Sequence, residues 1–134
     1  MMLRCLIVDD SPRFLAAARG LLEREGIEVV AVASTGAQAL QRAAELRPDI
    51  TLLDIDLGGQ SGFEVARRLH QQARPGRSPV ILTSTRAQQD YQDLIAASPA
   101  VGFLPKTDLS ASAIRDLLAR HDASGDQVSG PPGT

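Results

Sequence analysis

Apolar and polar positions alternate along the chain in five repeated blocks. Each block is a short apolar run followed by a stretch with apolar residues at helical spacing. The apolar runs predict β-strands at residues 3–8, 27–33, 50–53, 79–83 and 101–104. The stretches after them predict helices at about 13–25, 37–46, 63–73, 87–97 and 111–121. This alternation is typical of a parallel sheet covered by helices on both faces.

Local residues mark the ends of these elements. Pro12 suits the first turn of the first helix, with Asp10 or Ser11 as its N-cap, and Gly26 suits its C-terminal end. Ser110 suits the N-cap of the last helix. Residues 122–134 are rich in Gly, Pro and Ser, and their few apolar groups cannot offset the entropy cost of ordering. We therefore expect one domain over residues 1–121, followed by a flexible tail or the start of a linker.

Right-handed crossovers leave few topologies for such a chain. The natural one is a doubly wound five-stranded parallel sheet of order 2-1-3-4-5, which is flavodoxin-like. In that topology ligands bind at the carboxyl ends of strands 1 and 3, where the strand order reverses.

Composition and charge argue against several classes of function. The 134 residues carry a net charge of -2 with no Trp, so we expect no direct contact with nucleic acid or an anionic membrane surface. No apolar run approaches the roughly 20 residues of a membrane span. Cys5 is the single cysteine, which excludes an internal disulfide and fits a reducing cytoplasm.

Reactive side chains follow the strand ends. Asp9 and Asp10 follow strand 1, Asp54 ends strand 3, hydroxyl residues 83–85 end strand 4, and Lys106 follows strand 5. Three carboxylates at one edge would repel one another unless a hard cation joined them, with Mg²⁺ as first choice and Mn²⁺ as the alternative. Such a site suits transfer of a phosphoryl group to Asp54, because it combines acids, a metal, hydroxyls and an ammonium group.

These motifs resemble the receiver (CheY-like) domain of two-component response regulators. The matched segments are residues 6–11, 52–57 with Gly62, 83–85 and 102–106, and the resemblance covers roughly residues 3–121. Residues 102–118 look most similar to the receivers of helix-turn-helix DNA-binding regulators.

The resemblance implies a role for each matched residue. Asp54 would be the phosphoacceptor. Metal ligands would be Asp10, Asp9 partly through water, and the backbone carbonyl of Asp56. Lys106 and a hydroxyl would contact the phosphoryl oxygens; family spacing selects Ser84, with Thr83 as second choice. Ser84 and Phe103 would form the switch.

Several positions depart from the family pattern. Pro105 precedes Lys106, whereas the family usually has Pro after this Lys, often with a cis bond. We therefore expect a different loop, with a cis Leu104–Pro105 bond as the less favoured alternative. Gly58 replaces a common Pro and makes its loop more permissive.

Three residues near the site are predicted to tune dephosphorylation. In receivers, the positions of Asp56 and Arg86 flank the phosphoryl group, and their opposite charges could pair across the mouth of the site. Thr85 adds bulk where many receivers have Ala or Gly. We expect slower water access and a longer-lived aspartyl phosphate.

The resulting hypothesis is a signalling switch, not an enzyme. It would accept a phosphoryl group from a sensor histidine kinase and change the surface formed by helix 4, strand 5 and helix 5, through which it could form a homodimer. The alternatives are a receiver fragment of a longer DNA-binding transcriptional regulator, a non-phosphorylated pseudo-receiver and a flavodoxin-like cofactor binder.

Overall fold

A five-stranded parallel sheet forms the centre of the molecule. The computed structural model describes residues 2–73 and 79–128, with side chains as far as Asp122. The strands are β1 (Arg4–Val8), β2 (Glu28–Ala33), β3 (Ile50–Asp54), β4 (Val80–Ser84) and β5 (Gly102–Pro105). Their spatial order is β2-β1-β3-β4-β5, and all neighbouring pairs are parallel. The predicted doubly wound topology is therefore confirmed.

The helices follow the strands as predicted. They are α1 (Pro12–Arg24), α2 (Gly36–Leu46), α3 (Gly62–Gln72), α4 (Gln92–Ala97) and α5 (Ala111–Val128). Single 3₁₀ turns lie before α4 (Gln88–Tyr91) and after β5 (Lys106–Asp108). None of the helices in the described part of the chain is long and apolar enough to cross a membrane.

Three regions differ from the prediction by more than one residue. Helix α4 is shorter because residues 85–90 are exposed and have no large apolar side chain to bury. Helix α5 does not end at His121 but continues to Val128, since extending a helix costs far less than starting one. Part of the predicted tail is thus helical, and residues 129–134 lie outside the described residues. The predicted turn after β3 contains a small antiparallel hairpin, in which Asp56–Leu57 pairs with Gln60–Ser61.

Two apolar layers cover the sheet, one on each face. One joins the sheet to α1 and α5, and the other joins it to α2, α3 and α4. In β3, Leu52 belongs to the first layer and Leu53 to the second, as alternation along a strand requires. Because β3 is buried on both faces, Asp54 at its carboxyl end is held in a fixed position.

The first helix is capped at both ends. Its N-cap is Ser11, one of the two predicted candidates, whose Oγ accepts a hydrogen bond from the Phe14 N–H (3.2 Å). At the other end, Gly26 has a φ of +91° and the Ile27 N–H donates to the Leu22 carbonyl (2.9 Å). This arrangement is a Schellman motif, which requires a left-handed residue at the position of Gly26.

Candidate functional site

Three carboxylates meet at the carboxyl edge of the sheet. Asp9 follows β1 and Asp54 ends β3, and these strands are neighbours with Val8 opposite Leu53. Carboxylate oxygens of Asp9, Asp10 and Asp54 all lie within 4.8 Å of one another. Asp9 and Asp54 are buried, whereas Asp10 is exposed. The structure therefore brings together the three acids that the sequence placed at this edge.

Lys106 reaches into the same cluster from the end of β5. Its Nζ lies 2.6 Å from Oδ2 of Asp9 and 3.2 Å from Oδ2 of Asp54. Burial alone would lower the pKa of Lys106, but the hydrogen bond to Asp9 and the charges of both carboxylates raise this pKa above its usual value. The lysine is thus held in its charged form between two buried carboxylates.

The groups around Asp54 shift its pKa in opposite directions. Burial raises the pKa of its carboxyl group, and the negative charge of Asp9 raises it further. The Asp56 N–H, which donates to Asp54 Oδ1 (3.1 Å), and the Lys106 ammonium group both oppose this rise in the pKa. These two donors therefore do not fully offset the rise in the Asp54 pKa that burial and the charge of Asp9 cause.

The donor atoms fit a hard divalent cation. Asp9 Oδ2 is fully buried and faces the Lys106 ammonium group, 2.6 Å away. Three carboxylates that share one ammonium group form a ligand set that suits Mg²⁺, which prefers oxygen donors. His and Cys do not contribute to this cluster of ligands.

Both candidate hydroxyl residues lie in β4 and are buried. Thr83 is opposite Asp54 in the ladder, and by strand alternation both side chains point to the α1 and α5 side of the sheet. Ser84 is the last residue of the strand, and its Oγ accepts a hydrogen bond from the Arg86 N–H (2.9 Å). The prediction that the strand ends at Thr83 is therefore wrong by one residue.

The other predicted residues lie around the cluster. Asp56, Thr85 and Arg86 are exposed, and no ion pair within 4.0 Å joins Asp56 to Arg86 in the part of the chain that the structure describes. The charge pair suggested by the sequence is thus not formed. Phe103 is buried in the layer that joins the sheet to α2, α3 and α4.

The loop after β5 shows how this chain accommodates Pro105. No described peptide bond is cis, so the cis alternative for Leu104–Pro105 is not adopted. Pro105 ends β5 opposite Ser84, and Lys106 begins a 3₁₀ turn. The different loop expected after strand 5 is therefore a short 3₁₀ turn.

Two contributions to the site were not predicted. The ammonium group of Lys106 lies over the ring of Phe14 on α1, 4.5 Å from its centroid, and no signal in the sequence indicated this contact. The side chain of Gln60 caps α2, because its Oε1 accepts from the Gly36 N–H (3.0 Å) and so ties the hairpin to that helix.

Comparisons with known proteins agree with this geometry. The model of the response regulator receiver domain family matches residues 5–119. The DNA-binding transcriptional activator EvgA of Escherichia coli K12 is 33% identical over 106 residues, which cover 79% of this chain and 51% of EvgA. Protein PilH of Pseudomonas aeruginosa is 36% identical over 88 residues, which cover 66% of this chain and 72% of PilH.

Structural similarity extends over most of the chain. The signal receiver domain of the response regulator NarL from Mycobacterium tuberculosis superposes with a TM-score of 0.76 at 26% identity, covering 90% of this chain and 97% of that domain. The chain spans about half the length of EvgA. The family match, the sheet order and the similarity to receivers of transcriptional regulators together show that this chain belongs to the response regulator receiver domain family.

Proposed function

We propose that this receiver accepts a phosphoryl group on Asp54 in a Mg²⁺-dependent reaction with a sensor histidine kinase. The observation that carries the proposal is the Lys106 ammonium group, which contacts both Asp9 and Asp54 beside the exposed carboxylate of Asp10. A charged lysine at the nucleophile would stabilise the phosphoryl oxygens during transfer.

The reaction uses the carboxylate form of Asp54. One of its oxygens forms the new P–O bond while the P–N bond of the phosphohistidine breaks, and the bonding electrons remain on the imidazole, which takes up a proton. The Asp56 N–H donates to Oδ1 and Lys106 contacts Oδ2, so two donors fix the orientation of the carboxylate. These contacts hold the nucleophile ready for attack on phosphorus.

The metal ligands would be Asp10, Asp9 and the backbone carbonyl of Asp56, for Mg²⁺ or alternatively Mn²⁺. The bound ion would neutralise charge on the phosphoryl oxygens and on the acids around it. The burial of Asp9 next to the carboxylates of Asp10 and Asp54 supports this assignment.

Residues next to the phosphoryl group would transmit the phosphorylated state to the protein surface. Lys106 and Ser84, or Thr83 as second choice, would contact the phosphoryl oxygens. Ser84 and Phe103 would then transmit the change to the surface of α4, β5 and α5. Leu94 on α4 is 54% exposed, which suits a contact surface for a partner or a second copy.

The wider role is also part of the proposal. The chain would act as a signalling switch in the cytoplasm and would catalyse only its own phosphorylation and dephosphorylation. It could form a homodimer through α4, β5 and α5, and it would make no nucleic acid or membrane contact of its own. Because it spans about half of EvgA, it could equally be the receiver part of a longer DNA-binding regulator.

The decisive experiment is phosphorylation by acetyl phosphate with Mg²⁺, followed by intact and peptide mass spectrometry. We expect a mass gain of one phosphoryl group on the peptide with Asp54, and none with a chelator or in Asp54→Asn. No gain in the wild type would favour a receiver that is never phosphorylated. A purified protein that carries a flavin would instead favour the cofactor-binding alternative.

A further inference from the structure

The hairpin between β3 and α3 turns on two adjacent glycines. Leu57 and Gln60 pair across the turn, and Gly58 and Gly59 lie between them with φ values of +54° and +92°. A two-residue hairpin turn with positive φ at both central positions favours Gly for conformational reasons alone. Pro, which is common in the family at the position of Gly58, has φ near −65° and cannot adopt this conformation.

The two glycines differ in what lies next to them. An ideal Cβ on Gly58 would lie 2.9 Å from Oδ2 of Asp10, which is closer than carbon and oxygen approach in proteins. An ideal Cβ on Gly59 would meet nothing within 4 Å. The hairpin therefore passes directly beside the Asp10 carboxylate at one glycine and faces open space at the other.

We propose that Gly58 is a positioning residue for the metal site. Its missing side chain leaves room for the Asp10 carboxylate beside the hairpin, within 4.8 Å of the carboxylates of Asp9 and Asp54. A side chain at this position moves Asp10 away from the other two acids and weakens divalent cation binding. The inference rests on the proposed function, because it assumes that these acids bind the cation.

A side chain at Gly58 should weaken metal binding more than it destabilises the fold. The atom that a Cβ would meet is the far end of an exposed side chain, so Asp10 can rotate aside without disturbing the core. Both glycines have positive φ, so alanine at either position carries backbone strain of the same kind. Loss of stability alone therefore cannot distinguish the two positions, whereas cation affinity can.

The test compares Gly58→Ala with the matched control Gly59→Ala in the full chain. Mg²⁺ affinity is measured by isothermal titration calorimetry without any phosphoryl donor, and urea unfolding with a chelator reports the fold. We expect the Mg²⁺ dissociation constant of Gly58→Ala to rise by about 10-fold to 100-fold, the range seen when groups that orient metal ligands are changed. Gly59→Ala should bind Mg²⁺ like the wild type while losing at least as much stability.

A double-mutant cycle with Asp10→Ala tests the contact itself. If Gly58 acts through Asp10, Gly58→Ala should cause no further loss of affinity once the Asp10 carboxylate is gone. Equal Mg²⁺ affinity in the wild type and Gly58→Ala overturns the inference, as does an equal loss in both glycine variants. A wild type that binds no Mg²⁺ overturns the proposed metal site and this inference with it, so the two failures are distinguishable.

Discussion

The ammonium nitrogen of Lys106 lies over the ring of Phe14, 4.5 Å from the ring centroid. The negative face of an aromatic ring attracts a cation at this distance. Lys106 therefore has an apolar, weakly attracting surface on one side and the carboxylates of Asp9 and Asp54 near its ammonium group. Phe14 thus adds an aromatic contact to the ion pairs that hold the ammonium group at Asp54.

Phe14→Leu should slow phosphorylation of Asp54 while keeping an apolar side chain on α1. Loss of a cation–π contact of about 1 kcal/mol predicts a rate about fivefold lower with acetyl phosphate. Lys106 is the single lysine in the sequence, so selective isotope labelling reports its side-chain methylene protons by NMR. Their ring-current shift in the wild type should disappear in Phe14→Leu.

The control for this variant is Phe63→Leu, which removes a ring that contacts Tyr91 at a centroid distance of 6.2 Å and is not part of the site. Phe63→Leu should leave the lysine signals in place. Unchanged lysine shifts and an unchanged phosphorylation rate in Phe14→Leu would show that the ring does not hold the lysine.

Lys106→Met should destabilise the protein in the absence of metal. The substitution keeps the apolar stem and removes the charge beside two buried carboxylates, at a cost of about 3–5 kcal/mol. Mg²⁺ should restore more stability to this variant than to the wild type, because the ion replaces the lost positive charge. Urea unfolding with and without Mg²⁺ measures both effects.

Arg19→Met is the matched control for that charge removal. Arg19 pairs with Glu23 on the exposed face of α1, where an ion pair contributes about 0.5 kcal/mol or less. A loss in Lys106→Met as small as in Arg19→Met would show that the buried acids do not depend on the lysine.

Asp54→Asn should stabilise the metal-free protein at neutral pH. The pKa of Asp54 is raised in the folded state, mainly by burial, so the fold favours the protonated carboxyl group. The stability linked to this group is fully present below its unfolded pKa near 3.8 and is lost as the pH rises through the folded pKa. The advantage of Asp54→Asn should therefore shrink as the pH falls toward the unfolded pKa.

Thermal unfolding with a chelator across this pH range measures that difference. Asp56→Asn serves as the control, since Asp56 is an exposed carboxylate two residues away. An Asp54→Asn variant that is less stable than the wild type at neutral pH would show that the carboxylate contributes more through Lys106 and the Asp56 N–H than its burial costs.

Asp56→Ala and Arg86→Ala should each shorten the life of the aspartyl phosphate, as should Thr85→Ala, because these side chains restrict water access. Since no ion pair joins Asp56 to Arg86 within 4.0 Å, the effects of these two substitutions should be independent. The lifetime change in the double variant should equal the product of the single changes within about twofold.

Dephosphorylation after removal of the phosphoryl donor gives the lifetimes directly. Unchanged lifetimes in all three single variants would refute the tuning hypothesis. Strong coupling between Asp56 and Arg86 would mean that their side chains pair once the phosphoryl group is present.

The position of the site at one edge of the sheet was predictable from the sequence. Five buried strands in a parallel sheet bring their carboxyl ends to one edge, so Asp9, Asp54 and Lys106 were expected at the same edge. Alternation of the strands and helices also narrowed the sheet order, because right-handed connections leave few arrangements.

Contacts that depend on side-chain direction were not predictable. The approach of Asp10 to Gly58 depends on a hairpin of only two residue pairs, which has no periodic signal of its own. The position of Lys106 over Phe14 depends on how a long side chain crosses from β5 to α1. Amphipathic spacing reports which face of a helix is buried but not which partner each residue meets.

Glu25 shows how far apart in sequence such partners can be. Its Oε1 accepts a hydrogen bond from the Ala111 N–H (2.7 Å), although 86 positions separate the two residues. Ala111 is the first residue of α5, and the Oγ of Ser110 accepts from the Ala113 N–H (3.0 Å) in the same turn. A carboxylate at this end also interacts favourably with the helix dipole.

Glu25→Ala should therefore destabilise the protein by about 1 kcal/mol, the usual cost of losing a helix cap. Glu25→Gln should lose less, because its amide oxygen can still accept from Ala111 but carries no charge. Glu23→Ala is the matched control on α1, with an exposed side chain whose ion pair in the described part of the chain lies within its own helix. Urea unfolding ranks the three variants, and a loss in Glu25→Ala no larger than in Glu23→Ala would show that the cap does not stabilise α5.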